Sequence, residues 1–184
     1  QTKIRASVGY GQQEGVLLSS NMDQANARVN INHSALNDRL NFDLRLNYGQ
    51  NKSNQTPISN TLGSEYGTSL NYESYVFNPT YPVYNANGTY AQIPPFRVNP
   101  VSFSTDVIDE RTNRRLLGDF STSYRIIGSL TAKVNVGYTF QGIDRNAFVS
   151  KNSPLGSGSG GYTSVQKLDD YSKLSEPTLA YTKR

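Results

Sequence analysis

The chain has 184 residues with 18 Lys and Arg against 14 Asp and Glu, a net charge of +4, and no cysteine, which excludes disulfide frameworks and thiolate metal sites. No window approaches the roughly 18 consecutive apolar residues of a membrane helix, so any membrane crossing must be made by strands. The cations form no concentrated run, so nucleic acid is not an expected partner. Thirteen tyrosines and seven phenylalanines with no tryptophan suit interfacial girdles and ligand-facing loops.

In chain order, Ile4, Ala6, Val8 and Tyr10 alternate with polar neighbours and predict a strand near 2–11. A polar loop with Gly15 follows. Ala25, Ala27, Val29 and Ile31, with His33 after them, predict a second strand near 24–36, closed by a tight turn at Asn37-Asp38. The strongest signal comes next, near 39–50, where Leu40, Phe42, Leu44, Leu46 and Tyr48 alternate without a break with Arg39, Asn41, Asp43, Arg45 and Asn47. This alternation outlasts the five or six residues of an ordinary strand and suits one tilted across a bilayer.

Residues 51–113 lack sustained alternation and predict a long loop, with a short helix from Thr68 to Phe77 ended by Asn78-Pro79. Alternation returns near 115–127 and, after a turn at Ile127-Gly128-Ser129, near 130–142. A second long, flexible loop is expected near 143–172, where Gly156 to Gly161 is a glycine-serine run. The sixth strand, near 173–184, is weakened by Pro177.

Long and short connections alternate, so the expected fold is all-β: an antiparallel, up-and-down transmembrane β-barrel segment of about six strands with long extracellular loops. Tyr10, Tyr48, Tyr138 and Phe140 would form its outer aromatic girdle, and His33 would lie at the opposite rim. Arg39, Asp43, Arg45, Asn47, Lys133 and Asn135 would face the lumen or a plug inside it.

No catalytic set assembles, so neither an enzyme nor a cofactor is expected. His33 has no second metal ligand near it, and the glycine run lacks the Lys-Ser/Thr ending of a phosphate loop. Asp106, Asp109 and Glu110 lack the spacing of a calcium loop and read as a solvated acidic patch. Asp43 has no second acid near it for paired-carboxylate hydrolysis. In the first long loop Tyr66, Tyr72, Tyr75, Tyr81, Tyr84 and Tyr90 recur. Of these, Tyr72, Tyr75, Tyr81 and Tyr84 are the expected contacts to a ligand or lid, since tyrosine offers a broad apolar ring and a hydroxyl at small entropic cost.

Three segments carry a family resemblance. Residues 78–85, Asn-Pro-Thr-Tyr-Pro-Val-Tyr-Asn, closed by Asn87-Gly88-Thr89-Tyr90, resemble a loop segment of SusC-like TonB-dependent transporters. Residues 4–10 running into Gln13-Glu14-Gly15 are similar to one strand of that family. Arg114 to Phe120 with Tyr124, and Val134-Asn135-Val136-Gly137-Tyr138, are similar to a strand pair. The resemblance implies a large barrel filled by a plug in a Gram-negative, Bacteroidetes-type cell outer membrane. It implies a SusD-like surface lipoprotein as lid, energy from the TonB complex, and import of glycans or peptides.

No plug, TonB box or terminal barrel strand is recognised, so residues 1–184 are expected to be an early-to-middle portion of the barrel domain. Gln1 to Tyr10 already reads as a strand and not as an export signal, which agrees with a fragment or mature internal piece. The competing expectation is a non-transporting outer-membrane adhesin or a lectin-like β-protein.

Overall fold

The computed structural model describes residues 1–56, 68–93 and 97–182. Six strands run β1 (Thr2–Glu14), β2 (Asn21–Ala35), β3 (Leu40–Asn54), β4 (Val107–Ile127), β5 (Leu130–Val149) and β6 (Tyr162–Tyr181). Among the described residues three short helices lie between them: α1 (Leu70–Val76), α2 (Pro100–Asp106) and α3 (Pro154–Ser157). No described helix is long and apolar enough to cross a membrane. Each strand pairs antiparallel with the next, giving one sheet in the order β1-β2-β3-β4-β5-β6. The all-β, up-and-down expectation holds.

Register gives the sheet two unlike faces, because directly opposed residues share a side. One row joins Val8, Ala27, Tyr48, Leu116, Phe140 and Tyr171 from β1 to β6. Below it, on the same face, lie Ala6, Val29, Leu46 and Tyr138, then Ile4, Ile31, Leu44, Phe120 and Val136. Aromatic rings bridge the strands here: His33 stacks on Phe42 with ring centres 6.2 Å apart, Phe42 on Phe120 at 6.3 Å, and Phe140 on Tyr171 at 5.2 Å. His33 also meets the Thr2 hydroxyl through Nδ1 at 2.7 Å.

Among the described residues no second layer covers this face; Val8 is 86% exposed. The opposite face carries Arg5, Asn30, Arg45 and Asp119 in one row and Arg28, Asn47 and Thr139 in rows of the next level.

The short turns fall where expected. Leu36, Asn37 and Asp38 all have positive φ, at 54°, 52° and 59°, and the Arg39 amide closes the turn on the Leu36 carbonyl at 3.2 Å. Asn and Asp tolerate the left-handed region through local hydrogen bonding, which explains their choice there.

The opposite ends of the strands differ from expectation. β3, β4, β5 and β6 run on through Asn54, Val107, Val149 and Tyr162, so the connections are residues 55–106 and 150–161. Between the apolar belt and the buried tips, these outer reaches have no sustained apolar alternation. Cross-strand ion pairs join them there, with Arg114 Nη2 2.6 Å from Asp144 Oδ2 and Lys52 Nζ 3.6 Å from Glu110 Oε2. The charges start one row beyond the Tyr48, Phe140 and Tyr171 level, where the apolar belt stops.

Two further expectations are corrected. The glycine-serine run carries defined local structure: Ser153 caps α3, Gly160 and Gly161 turn with φ of 72° and 90°, and a Cβ at Gly156 would collide with the Ser150 carbonyl oxygen. Pro177 also does not interrupt β6. The Thr182 amide donates to the Ser129 carbonyl at 2.8 Å, so even-numbered residues of β6 bond β5 and the position of Pro177 faces the open edge.

The buried core lies at the outer end of the sheet. Leu70, Val98, Phe103, Val107 and Val149 cluster there, with Leu17, Leu155 and Tyr162 packed against them. Val107 and Val149 oppose each other on the polar-face side, so the lobe formed by α1, α2 and their connection sits over that side of the strand ends.

Candidate functional site

The lobe between β3 and β4 places the tyrosines. Ser69 caps α1 by accepting from the Tyr72 amide at 3.3 Å, and the helix stops at Phe77, ahead of Asn78-Pro79, as the sequence suggests. Leu70 and Glu73 point into the lobe. The Glu73 carboxylate is buried between the Thr68 hydroxyl at 2.7 Å and the Val98 amide at 3.3 Å. Tyr72 and Tyr75, three positions apart, stay exposed; Tyr75 is 89% exposed, and the Arg97 guanidinium covers one side of the Tyr72 ring at 5.5 Å.

Past the helix, Asn78 Oδ1 accepts from the amide and hydroxyl of Thr80 at 3.0 and 2.8 Å and folds the chain back. Tyr81 then meets Phe77 edge to face at 6.3 Å. A small hairpin follows. Val83 pairs with Ala91, Tyr84 bridges Tyr90, and Asn85 and Thr89 flank a turn at Asn87-Gly88 with Gly88 at φ 80°. The Tyr84 and Tyr90 rings stack 5.1 Å apart. The charge of Tyr90, then its hydroxyl contact, raises the pKa of Tyr84.

Asn99 ties the hairpin to α2. It is 2% exposed; its Nδ2 donates to the carbonyls of Val83 and Ala91, each at 3.0 Å, while Oδ1 caps α2 by accepting from Val101 at 3.0 Å. Its own amide donates to Gln92 Oε1 at 2.7 Å.

The expected contact residues therefore sit in one lobe but on three local frames: Tyr72 and Tyr75 on α1, Tyr81 against Phe77, and Tyr84 in the hairpin. Tyr66, Pro94 and Pro95 lie outside the described residues. Tyr90, Arg97, Asn99 and Gln92 complete the arrangement and were not singled out from the sequence as a unit. The signal for the hairpin was present, since Val83, Tyr84 and Asn85 mirror Ala91, Tyr90 and Thr89 about an Asn-Gly turn.

The acidic residues are not a solvated patch. Asp109 is 3% exposed and takes two hydrogen bonds from Arg145, at 2.8 and 2.7 Å, with Arg111 at 3.4 and 3.5 Å. Glu110 pairs with Lys52. Asp106, at the end of α2, is half-buried, and burial pushes its carboxyl pKa up. Neighbouring strands bring the partners together at spacings invisible along the chain. Among the described residues no group of three or more metal-ligating side chains forms.

The six residues expected to face a lumen all lie on the polar face or its turn. Arg39 donates to the carbonyls of Arg125 at 3.3 Å and Ile126 at 2.7 Å, closing the β4–β5 turn. Asp43 accepts from Asn32 Nδ2, and Asn47 accepts from Arg28 Nε at 2.7 Å. Arg45 shares its row with Asn30 and Asp119, Asn135 shares one with Ser121 and Asp43, and Lys133 lies opposite Ser123.

No family model matches the chain. Over 184 residues, 99% of this chain, it is 25% identical to TonB-dependent receptor P3 of Formosa agariphila. The match takes up 18% of that protein, so the chain spans under a fifth of the length of this curated relative. This likeness along nearly all of the chain supports reading it as a segment of a TonB-dependent receptor.

Proposed function

We propose that this chain forms part of the barrel wall of a SusC-like TonB-dependent transporter, which imports glycans or peptides across the outer membrane beneath a SusD-like lipoprotein lid. The observation that carries the reading is the registered two-faced sheet. Its apolar belt, without a second protein layer, suits lipid, and its polar face suits a wet interior. Energy from the TonB complex would enter through parts of the longer protein beyond this segment.

Within this reading the tyrosine lobe meets cargo or the lid. Its rings stand exposed on a framework fixed by Ser69, Asn78 and Asn99, so contact would require little further ordering. Changing Tyr72, Tyr75, Tyr81 and Tyr84 to alanine in the full-length transporter should weaken uptake or lipoprotein association by at least about tenfold, with insertion intact. Unchanged uptake and association would remove the lobe from the mechanism.

A further inference from the structure

Charge is distributed unevenly across the polar face. β1, β2 and β3 place Lys3, Arg5, Arg28 and Arg45 on it against a single acid, Asp43, which already accepts from Asn32. Of the other acids on this face, Asp119 stands on β4 opposite Arg45, and Asp170 and Glu176 stand on β6, at the far side of the sheet. Arg5, Asn30 and Arg45 form one row across three strands. With Lys3, Asn32 and Ile4 they line an open cleft of about 390 Å³.

Asp119 and Asp43 stand near the cations of this cleft, yet no ion pair forms there among the described residues. Lys3, Arg5 and Arg45 enter no ion pair there, and Arg45 makes none with Asp119 although the two stand opposite in register. Arg28 is held only by the neutral amide of Asn47. The pattern continues toward the lobe: Arg115 lies opposite Gly49, one level beyond Arg28 and Asn47. Arg115, Arg28, the Arg5 and Arg45 pair, and Lys3 thus put a cation in each of four successive rows. At about 6.7 Å per row this covers about 20 Å along the strands.

We propose that this ladder guides an anionic cargo, one bearing carboxylate or sulfate groups, along the β1–β4 wall. The inference rests on the transport reading above and narrows its substrate class. Equivalent cations repeated along the direction of passage suit a group handed from row to row, as cationic side chains do in anion-selective pores. In wet surroundings each step is weak, because water and salt screen the attraction. An anion is therefore attracted without being trapped, while Asn30 and Asn32 supply amide donors to its oxygens.

The test uses the inserted full-length receptor and three tetrasaccharide probes: tetragalacturonate, a sulfated galactan and neutral maltotetraose. Wild type should take up at least one acidic probe in preference to maltotetraose, with an advantage that shrinks as salt shortens screening to a few ångströms. The Arg5→Gln/Arg45→Gln variant should lose about tenfold in acidic uptake and keep its insertion and thermal unfolding temperature, and Arg5→Lys/Arg45→Lys should restore uptake.

Equal or better handling of the neutral probe by wild type would overturn the inference, as would uptake of none of the three. Unchanged acidic uptake in the glutamine variant would do the same. A glutamine variant that melts earlier without any solute would assign these cations to a fixed internal polypeptide contact and also overturn it. Transport itself is tested separately by the tyrosine variant.

Discussion

Arg145 grips Asp109 through two hydrogen bonds, at 2.8 and 2.7 Å, directly beneath the point where the lobe rests on the ends of β4 and β5. Asp109 also lends its carbonyl to the Gln55 amide at 3.0 Å, so the end of β3 is tied to the same place. Burial raises the cost of leaving either charge alone. Arg145→Met should destabilise the lobe by about 2–3 kcal/mol, less than a fully orphaned charge would cost because Arg111 stays near. Adding Asp109→Leu should recover much of that loss. Hydrogen exchange of residues 98–107 in the full-length receptor reads both effects; equal protection in all forms would contradict the role given to the pair.

Asn99 holds two strands of a hairpin and the start of a helix at once. Asn99→Ala removes the cap of α2 and the donors to Val83 and Ala91, and should cost about 2–3 kcal/mol locally. Asn99→Asp keeps the cap but turns an oxygen on two carbonyls, so it should free the hairpin while leaving α2 in place. Limited proteolysis at residues 84–90 checks this, with faster cleavage expected in both variants; cleavage at the wild-type rate would show that the hairpin stands without Asn99.

The isolated chain offers a harsher test. Its sheet ends in two open edges, β1 and β6, and exposes an apolar belt on one face. Unpaired strand edges and an uncovered belt favour association, so the 184-residue chain expressed alone should aggregate without detergent. Recovery as a soluble monomer that melts cooperatively would contradict the membrane assignment.

Much of this sheet could be read from residue order because one face needs apolar side chains for as long as the belt lasts. Leu40 to Tyr48 and Leu130 to Phe140 declare themselves by period two, and Asn37-Asp38 marks a turn by its chemistry. Beyond Tyr48 and Phe140 that requirement ends, and Arg114, Asp144, Lys52 and Glu110 stabilise strands by pairing across them. Neither partner of such a pair is evident from its neighbours in sequence. Pro177 misled for a related reason: which edge of a strand lacks a donor depends on register, which residue order alone does not reveal. In the lobe, Asn78-Pro79 marked the end of the helix correctly, whereas Asn99 acts on carbonyls 8 and 16 positions away.

The direction in which each face looks can be measured in the inserted receptor with single cysteines, which this segment itself lacks. An environment-sensitive fluorophore would be placed at Leu44 and Val136 on the apolar face and at Asn47 and Asn135 on the polar face. Leu44 and Val136 labels should be quenched by a lipid-borne nitroxide and shielded from aqueous iodide, with Asn47 and Asn135 labels giving the reverse. Equal quenching at all four positions, or lipid quenching at Asn47 and Asn135, would contradict the assignment of this sheet as a barrel wall with lipid on one side and water on the other.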